Sequence, residues 1–551
     1  MAHACLINPA GIKSITSLQM HTPNPPIGLA YIAAAIRAAG HRVTVIDATG
    51  EAMDQISPMP GRSDILIQGL NPDQVADRVP ADADVIGLTC MFSPIWPLAR
   101  ETLDAVRRKR PDVPILIGGE HPTAVPEHTL ASEAVDCCVM GEGEETIVEL
   151  LDCLLSGGDP ATVYGIAFLD DDRVVRTPPR ARNRAINDIP LPAWDLLPIN
   201  EYIERRQNNG INQGRAMPIL ATRGCPYRCT FCSSPQMWTT TYTMRDVGQV
   251  CDEIERYMRD YAVTDFHFQD LTAIVSKPWI LAFCKEVVRR GLRITWQLPS
   301  GTRSEAIDDE VCQWLAAAGV KQMAYAPESG SAEMRKRIAK RVTIEKMVPS
   351  IRAALRHKLT LSCFFVIGFP GETTRTLRET LRLIRRLAWI GVHDVSVTKF
   401  VPYPGSALFD DLRASGRIQL NDAFFLSPFS FYDNHGAAFC YADDLTPKQL
   451  HRWMTWLFLN FYVLSMARHP IRTLGTMVRV LLTGREDTRY AKWFRARINT
   501  RLKWRRAVRE QSHQQTPIKE HAVERVTPGD NPNVIPASTH RAREQQKVTI
   551  A

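Results

Sequence analysis

Apolar and polar positions alternate along this chain in two separate series. "ACLINP" is a short apolar run closed by Pro9. "PPIGLAYIAAAIRAAGH" opens on prolines, repeats apolar residues at helical spacing and stops at Gly40. "RVTVIDA" and "DVIGLTC" are strand-like, and "PLARETLDAVRRKRP" has helical spacing. "PILIGGEHPT" is a strand running into a glycine turn, and "CCVMGEGEETIVELLDCLL" is a strand, a turn and a helix. Strands bounded by turn residues and alternating with helices predict a parallel, doubly wound (Rossmann-like) α/β sheet over residues 1–155.

Residues 156–215 are polar and irregular, and "NDIPLPAWDLLP" is punctuated by proline. They predict a connector packed on a neighbour rather than a flexible tether. A second series covers residues 216–410: "MPILATRGC", "DFHFQDL", "ITWQLPSG", "KQMAYAPESG", "LSCFFVIGFPGE" and "DVSVTKFVPYPG" are strand-like, with helical stretches between them. Six such units are too few for an eight-stranded barrel. They predict a partial (βα)6 barrel, with its chemistry at the carboxyl ends of the strands. Residues 411–510 predict a helical region, and residues 511–551, polar and without periodicity, a disordered tail. The most apolar run, Trp453 to Ala467, contains Asn460 and is shorter than the ~20 residues needed to span a bilayer. It predicts a buried core helix, with an interfacial helix as the other reading.

Composition narrows this little. A chain of 551 residues, 45% hydrophobic and 23% charged, is an ordinary globular protein of several domains. Thirteen cysteines without a secretory start predict a reducing, cytoplasmic setting, with thiols that are buried or bind metal. The net charge of +8 gathers near the C-terminus, at Arg485, Arg489, Lys492, Arg495, Arg497, Arg501, Lys503, Arg505, Arg506 and Arg509. This reads first as a solvated basic helix end and second as peripheral contact of the C-terminal helices with an anionic membrane. RNA comes last, so no nucleic-acid partner is expected.

The chemistry concentrates in "TRGCPYRCTFCSSPQMW", where Cys225, Cys229 and Cys232 have the spacing C-x3-C-x2-C. A structural zinc site needs a fourth Cys or His, usually in a second spaced pair, and none follows nearby. Cys251 and Cys284 each fall in a helix-like stretch, where burial is the default. Three thiolates on a four-iron cluster leave one iron open, and an open coordination position marks a reactive metal site.

With Phe231 before its last cysteine, the motif resembles the radical S-adenosylmethionine (SAM) superfamily. The resemblance implies a [4Fe–4S] cluster on Cys225, Cys229 and Cys232. Its open iron would be chelated by the amino and carboxylate groups of SAM, which the reduced cluster cleaves to a 5′-deoxyadenosyl radical. Further motifs follow in register. "FHFQDL" puts Gln269 and Asp270 where the family has paired acidic residues near the SAM ammonium. "APESGS" implies that Glu328 faces the cofactor. "VIGFPGE" puts Gly368 and Gly371 beside the adenine, where a side chain would block a flat base. "VPYPGS" matches the end of the sixth strand. Arg303 stands where the family often contacts the SAM carboxylate, and a structural ion pair is the other reading.

A doubly wound domain ahead of such a barrel resembles the cobalamin-binding subgroup, which includes methyltransferases and the anaerobic magnesium-protoporphyrin ester cyclase. Ligands of open α/β sheets bind beyond the carboxyl ends of the strands. Those loops carry Thr89, Ser93, Gly118, Gly119, Glu120, His121, Gly141, Gly143 and Glu144. Small residues there would admit a corrin plane. The D-x-H-x-x-G motif that supplies a cobalt-ligating histidine elsewhere is absent, so a cobalamin without a protein imidazole is implied. His121 is either a substitute ligand or a hydrogen-bonded loop residue.

The leading expectation is therefore a cobalamin-dependent radical SAM C-methyltransferase acting on a small-molecule or lipid-like substrate, served by an electron donor such as flavodoxin or ferredoxin. A cyclase or rearrangement enzyme with the same cofactors is the alternative. A tRNA methylthiotransferase fits less well, since Cys137 and Cys138 are adjacent and poorly placed for a second cluster. A non-catalytic cobalamin sensor is the remaining reading. Phe424, Phe425, Phe429, Phe431 and Tyr432 suit a greasy or planar substrate, and core packing explains them equally well.

Overall fold

The computed structural model describes residues 1–14, 23–171, 173–429, 439–483, 486, 488–492 and 495. The first sheet contains β1 (His3–Asn8), β2 (Arg42–Asp47), β3 (Val85–Thr89), β4 (Ile115–Gly118), β5 (Cys137–Val139), β6 (Ile166–Asp170) and β7 (Arg173–Arg176). Their order is β7-β6-β5-β4-β3-β1-β2, and β1 to β5 are parallel. Alternate side chains of β1 explain the two buried faces. Ala4 and Leu6 pack with α1 (Ile27–Ala38) and α3 (Gly143–Ser156), whereas Cys5 and Ile7 pack with α2 (Trp96–Lys109). Chain direction across the sheet reverses between β1 and β3, the switch point where such sheets hold ligands.

The connector differs from its expected irregularity. β6 and β7 form an antiparallel hairpin that extends the first sheet along β5. Its alternation is short and broken by charges, so local pattern reading misses it. The remainder packs on both neighbours. The Tyr202 hydroxyl donates to Asp47 Oδ2 (2.8 Å), and Trp194 Nε1 to the Tyr257 hydroxyl (2.9 Å) on α4 (Val247–Tyr261). Three strands unread in the sequence, Gly11–Ser14, Ile56–Met59 and Arg62–Gln68, form a small antiparallel sheet.

The second sheet is parallel and sequential: β8 (Ala216–Ile219), β9 (Asp265–Phe268), β10 (Thr295–Thr302), β11 (Val320–Glu328), β12 (Thr360–Ile367) and β13 (Asp394–Lys399). Its helices include α4, α5 (Lys277–Arg289), α6 (Asp309–Ala317), α7 (Ile344–Arg356) and α8 (Thr374–Ile390). Such an incomplete barrel has polar interior positions to satisfy. The Gly210 amide donates to His267 Nδ1 (3.1 Å) and the Ile211 amide to Gln297 Oε1 (2.9 Å). Lys492 Nζ caps this plug, donating to Asn208 Oδ1 (2.9 Å) and to the carbonyl oxygens of Asn208 and Gly210. Lys492 is therefore buried rather than part of a solvated basic end. The three carbonyl-group acceptors of the plug offset its desolvation.

The helical region includes α9 (Pro447–Arg468) and α10 (Pro470–Thr483). The apolar run does form a helix, but α9 is not a fully buried one. Leu450, Met454, Leu457 and Phe461 are buried on one face while Trp456, Leu459 and Val463 are exposed. The buried face covers β13, which would otherwise be an open sheet edge. Phe424, Phe425 and Phe429 are buried in the core shared with α2. Among the described residues, no helix is long and apolar enough to cross a membrane. The expected tail at 511–551, together with Phe431, Tyr432, Arg485, Arg497, Arg501, Lys503, Arg505, Arg506 and Arg509, lies outside the described residues.

Candidate active site

The cysteine loop leaves the carboxyl end of β8 under tight local control. Asp270, just past β9, accepts hydrogen bonds from the Ala221 amide (3.2 Å) and the Thr222 hydroxyl (2.5 Å). Burial raises its carboxyl pKa to about 6 against those hydrogen bonds. At Gly224, φ is +83°, and a Cβ would collide with the Thr241 carbonyl oxygen, so the turn into the loop requires glycine. Cys225, Cys229 and Cys232 follow, all half-buried. The Cys232 amide closes a turn on the Cys229 carbonyl (3.1 Å). Burial pushes the Cys232 thiol up to about 11, against hydrogen bonds with Ser234, and it also raises the Cys229 thiol, with Lys340 opposing.

The three thiols share one loop without forming a ready-made cage. Among the described residues, no three His, Cys, Asp or Glu side chains are grouped to hold a metal ion. Cys251 and Cys284 are buried in α4 and α5. A soft donor set of three thiols, with no fourth beside it in the sequence, fits an iron–sulfur cluster that takes a further ligand from outside the chain.

Several expected residues surround this loop, and some are already occupied. Glu328, at the end of β11, forms an ion pair with Lys340 (2.9 Å), both side chains being buried. Burial disfavours the Lys340 ammonium, but Glu328 and Cys229 outweigh it and raise its pKa. Glu328 has φ +62°, an uncommon conformation for a non-glycine residue that costs of order 1–3 kcal/mol and recurs at functional sites. Lys340 Nζ lies 5.9 Å from the Phe231 ring centre, and Phe231 packs on Phe369 at 5.5 Å. The Arg303 guanidinium lies 3.8 Å from the Tyr227 ring centre and pairs with Glu305 (2.9 Å). Its Nε and Gln269 Nε2 are buried without a partner among the described residues. Asp270 is turned inward to the loop base, so Gln269 holds the unengaged polar group of that pair.

At the glycine motif, side chains lie close to both glycines. A Cβ at Gly368 (φ +91°) would meet Leu450 of α9, and one at Gly371 (φ +76°) would collide with the Arg337 guanidinium. Both open faces are therefore covered by side chains. The Gly368 amide donates to Glu372 Oε2 (2.5 Å), while Glu372 Oε1 is buried and unpaired. Burial lifts the Glu372 carboxyl to about 7.

The loops of the first sheet face the same region. Thr89 is half-buried at the end of β3. After β4, Gly118 leads into Gly119 (φ +117°), where a Cβ would strike the Cys90 carbonyl. His121 is fully buried: its Nδ1 is 3.0 Å from Ser93 Oγ, and its ring stacks on Trp96 at 4.9 Å. Burial depresses its pKa to about 3, keeping the ring neutral, and among the described residues both His121 Nε2 and Trp96 Nε1 lack partners. The short helix Glu120–Ala124 packs on Ser234–Trp238, the residues just past Cys232, and burial raises the Glu120 pKa, with Ser233 opposing. Gly141 donates its amide to Thr123 Oγ1 (3.0 Å), and a Cβ placed on it would meet open space.

Gly143 packs on Ile32, and Glu144 pairs with Arg223 (2.6 Å). Glu142 pairs with Arg223 (3.3 Å) and Arg182 (2.7 Å), and all four side chains are nearly buried. Arg223 also lies 4.9 Å from the Tyr31 ring centre. This cluster ties the loop after β5 to the residues that enter the cysteine loop. Sequence reading missed Arg223, Glu142, Lys340 and Tyr227. Tyr227 was detectable by its place between two of the cysteines, whereas Lys340 gives no local signal.

Residues 17–151 match the family described as B12 binding domain, and residues 219–384 match the Radical SAM superfamily. An uncharacterized methyltransferase of Pyrococcus horikoshii is 27% identical over 395 residues, 71% of this chain and 78% of that protein. The anaerobic magnesium-protoporphyrin IX monomethyl ester cyclase of Rubrivivax gelatinosus is 27% identical over 394 residues, 70% of this chain and 66% of that protein. The solved structure of the radical SAM methyltransferase TsrM of Kitasatospora setae, with cobalamin and a [4Fe–4S] cluster bound, has the same fold. Its TM-score is 0.65 at 18% identity, covering 92% of this chain and all of that one.

Proposed function

Because this chain belongs to the cobalamin-binding radical SAM enzymes, we propose that it methylates an unactivated carbon of a small-molecule or lipid-like substrate. Its cofactors are a [4Fe–4S] cluster, SAM and cobalamin. Together these groups supply a hydrogen-abstracting radical and a transferable methyl group. The observation that carries the reading is the placement of the three-thiol loop. It leaves the carboxyl end of β8 and touches, through Ser234–Trp238 and Arg223, the segments after β4 and β5 of the first sheet.

In this reading Cys225, Cys229 and Cys232 hold the cluster. Lys340 and Arg303 offset negative charge beside it. Gln269 Nε2 and Arg303 Nε, buried and unpaired among the described residues, are available to SAM polar atoms. Thr89, Ser93, Gly118, Gly119, His121 and Gly141 line the first sheet's carboxyl ends, where cobalamin would lie. Glu120 sits between the two regions. Glu328 and Asp270 act one step back: the first fixes Lys340 and the second fixes the base of the cysteine loop. The electron donor would be a small reducing protein such as flavodoxin or ferredoxin.

The experiment is an isotope-tracing comparison of cells with and without the gene, grown on methionine carrying a trideuterated methyl group. Methyl transfer predicts a metabolite that appears only with the gene and carries the labelled methyl. Ring closure without methyl transfer is a second reading, favoured by the cyclase relative. It predicts a gene-dependent product without the label. Anaerobically reconstituted protein that makes no 5′-deoxyadenosine from SAM would sink both readings.

A further inference from the structure

The outer helices leave a long apolar stripe in water. On α9, Trp456, Leu459 and Val463 recur at spacings of three and four and are 50%, 49% and 64% exposed. On α10, Ile471, Leu474, Val478 and Leu482 keep to one helical face and are 88%, 51%, 49% and 80% exposed. Trp389, at the end of α8, adds a further exposed ring. Scattered apolar side chains are normal on a surface, but repeated exposed apolar positions on one face of each of two adjoining helices mark a contact site.

Charge narrows the partner. α9 and α10 contain no aspartate or glutamate, and they carry Lys448, Arg452, Arg468, Arg472 and Arg479. The neighbouring outer face of α8 presents Arg378, Arg382, Arg385 and Arg386, all exposed. Among the described residues, Arg378, Arg382 and Arg386 have no carboxylate partner. Two of the arginines reach the stripe. Arg385 donates to Asn460 Oδ1 (2.8 Å), next to Leu459, and the Arg468 guanidinium lies 5.3 Å from the Trp389 ring centre. A second copy docked on this face would set arginine against arginine. A nucleic acid would match the arginines and leave the stripe wet.

We propose that the α8–α9–α10 face docks on an anionic lipid bilayer, with the stripe set among headgroups and upper acyl chains and the arginines on lipid phosphates. Leu450, near the start of α9, packs beside Gly368, so the same helix joins the docking face to the mouth of the barrel. The inference stands on the surface alone and does not depend on which reaction the site performs.

The test is sedimentation of the purified full-length chain with vesicles of phosphatidylcholine alone, or of phosphatidylcholine mixed with phosphatidylglycerol. The chain is expected to pellet with the anionic vesicles, to pellet poorly with the neutral ones, and to be released by salt. The pairs Leu459→Asp with Val463→Asp, and Leu474→Asp with Val478→Asp, should each weaken binding roughly tenfold or more. These positions are on the outer faces, and an unchanged far-UV spectrum and Tm will show that the variants fold. The pair Arg382→Glu with Arg386→Glu, which leaves every apolar residue of the stripe in place, should abolish the preference for anionic vesicles. Wild type left in the supernatant with both vesicles would overturn the proposal. So would aspartate variants that pellet like wild type, because basic residues after 495 would then carry the binding. A dimer in sedimentation velocity that these variants dissolve, without vesicle binding, would give the face to a second copy.

Discussion

Cys225, Cys229 and Cys232 are the residues on which the proposed chemistry stands, and each is testable alone. Changing any of them to Ala should abolish 5′-deoxyadenosine formation and bound iron, while cobalamin uptake measured by absorbance persists. The Glu328–Lys340 pair makes a different prediction. Removing one member of a buried ion pair leaves an uncompensated charge, so Lys340→Met should lower stability by about 3–5 kcal/mol in urea unfolding. Adding Glu328→Gln to that variant should restore much of the loss, and a double variant no more stable than the single would show the pair to be uncoupled. His393 tests pH dependence. Burial, with Arg472 and His469 adding to it, depresses its pKa to about 3. The unfolded chain takes up the proton below about pH 6.5, and the folded chain refuses it until about pH 3. Its contribution to stability is therefore full above pH 6.5 and is lost as pH falls through that window. The stability difference between pH 7 and pH 5 should shrink by about 2 kcal/mol in His393→Phe, read from urea midpoints.

Turns and helices add a second layer. Gly224 holds a positive φ against the Thr241 carbonyl, so Gly224→Ala must shift the loop that carries the cysteines. Iron retained per chain after reconstitution should fall severalfold, and wild-type iron content would show that the turn tolerates a side chain. Hydrophobic spacing made α1, α2 and α3 legible, as it did the six strands from β8 to β13, because each buries a face with its own period. It failed on β6 and β7, whose pattern is short and whose pairing with β5 lies outside any local window. It also overstated the burial of α9: apolar content alone does not reveal that β13 covers one face and leaves Trp456, Leu459 and Val463 outside.

Between the two sheets, the ion pairs of Glu142 and Glu144 with Arg223 and Arg182 act as a clamp. Replacing Arg223 by Gln should leave cobalamin binding intact and split a single unfolding transition into two, seen by calorimetry, as the two sheets lose their common restraint. One unchanged transition would show that packing alone couples them. The amino-acid order was sufficient for the parts of this protein encoded locally: the two βα series, the C-x3-C-x2-C loop and the strand-end motifs. Spacing along the chain sets those, since a helix, a strand and a three-thiol loop each use neighbouring residues. Folding then assigned tasks among residues of the same local type. It turned Asp270 inward to Thr222 and left Gln269 with an unpaired nitrogen; it gave Glu144 to Arg223 and covered Gly368 and Gly371 with Leu450 and Arg337. It also buried Lys492 beneath the barrel while leaving the α9–α10 stripe in water. These outcomes depend on partners up to hundreds of residues away, where burial and charge pairing, rather than local preference, determine the energy.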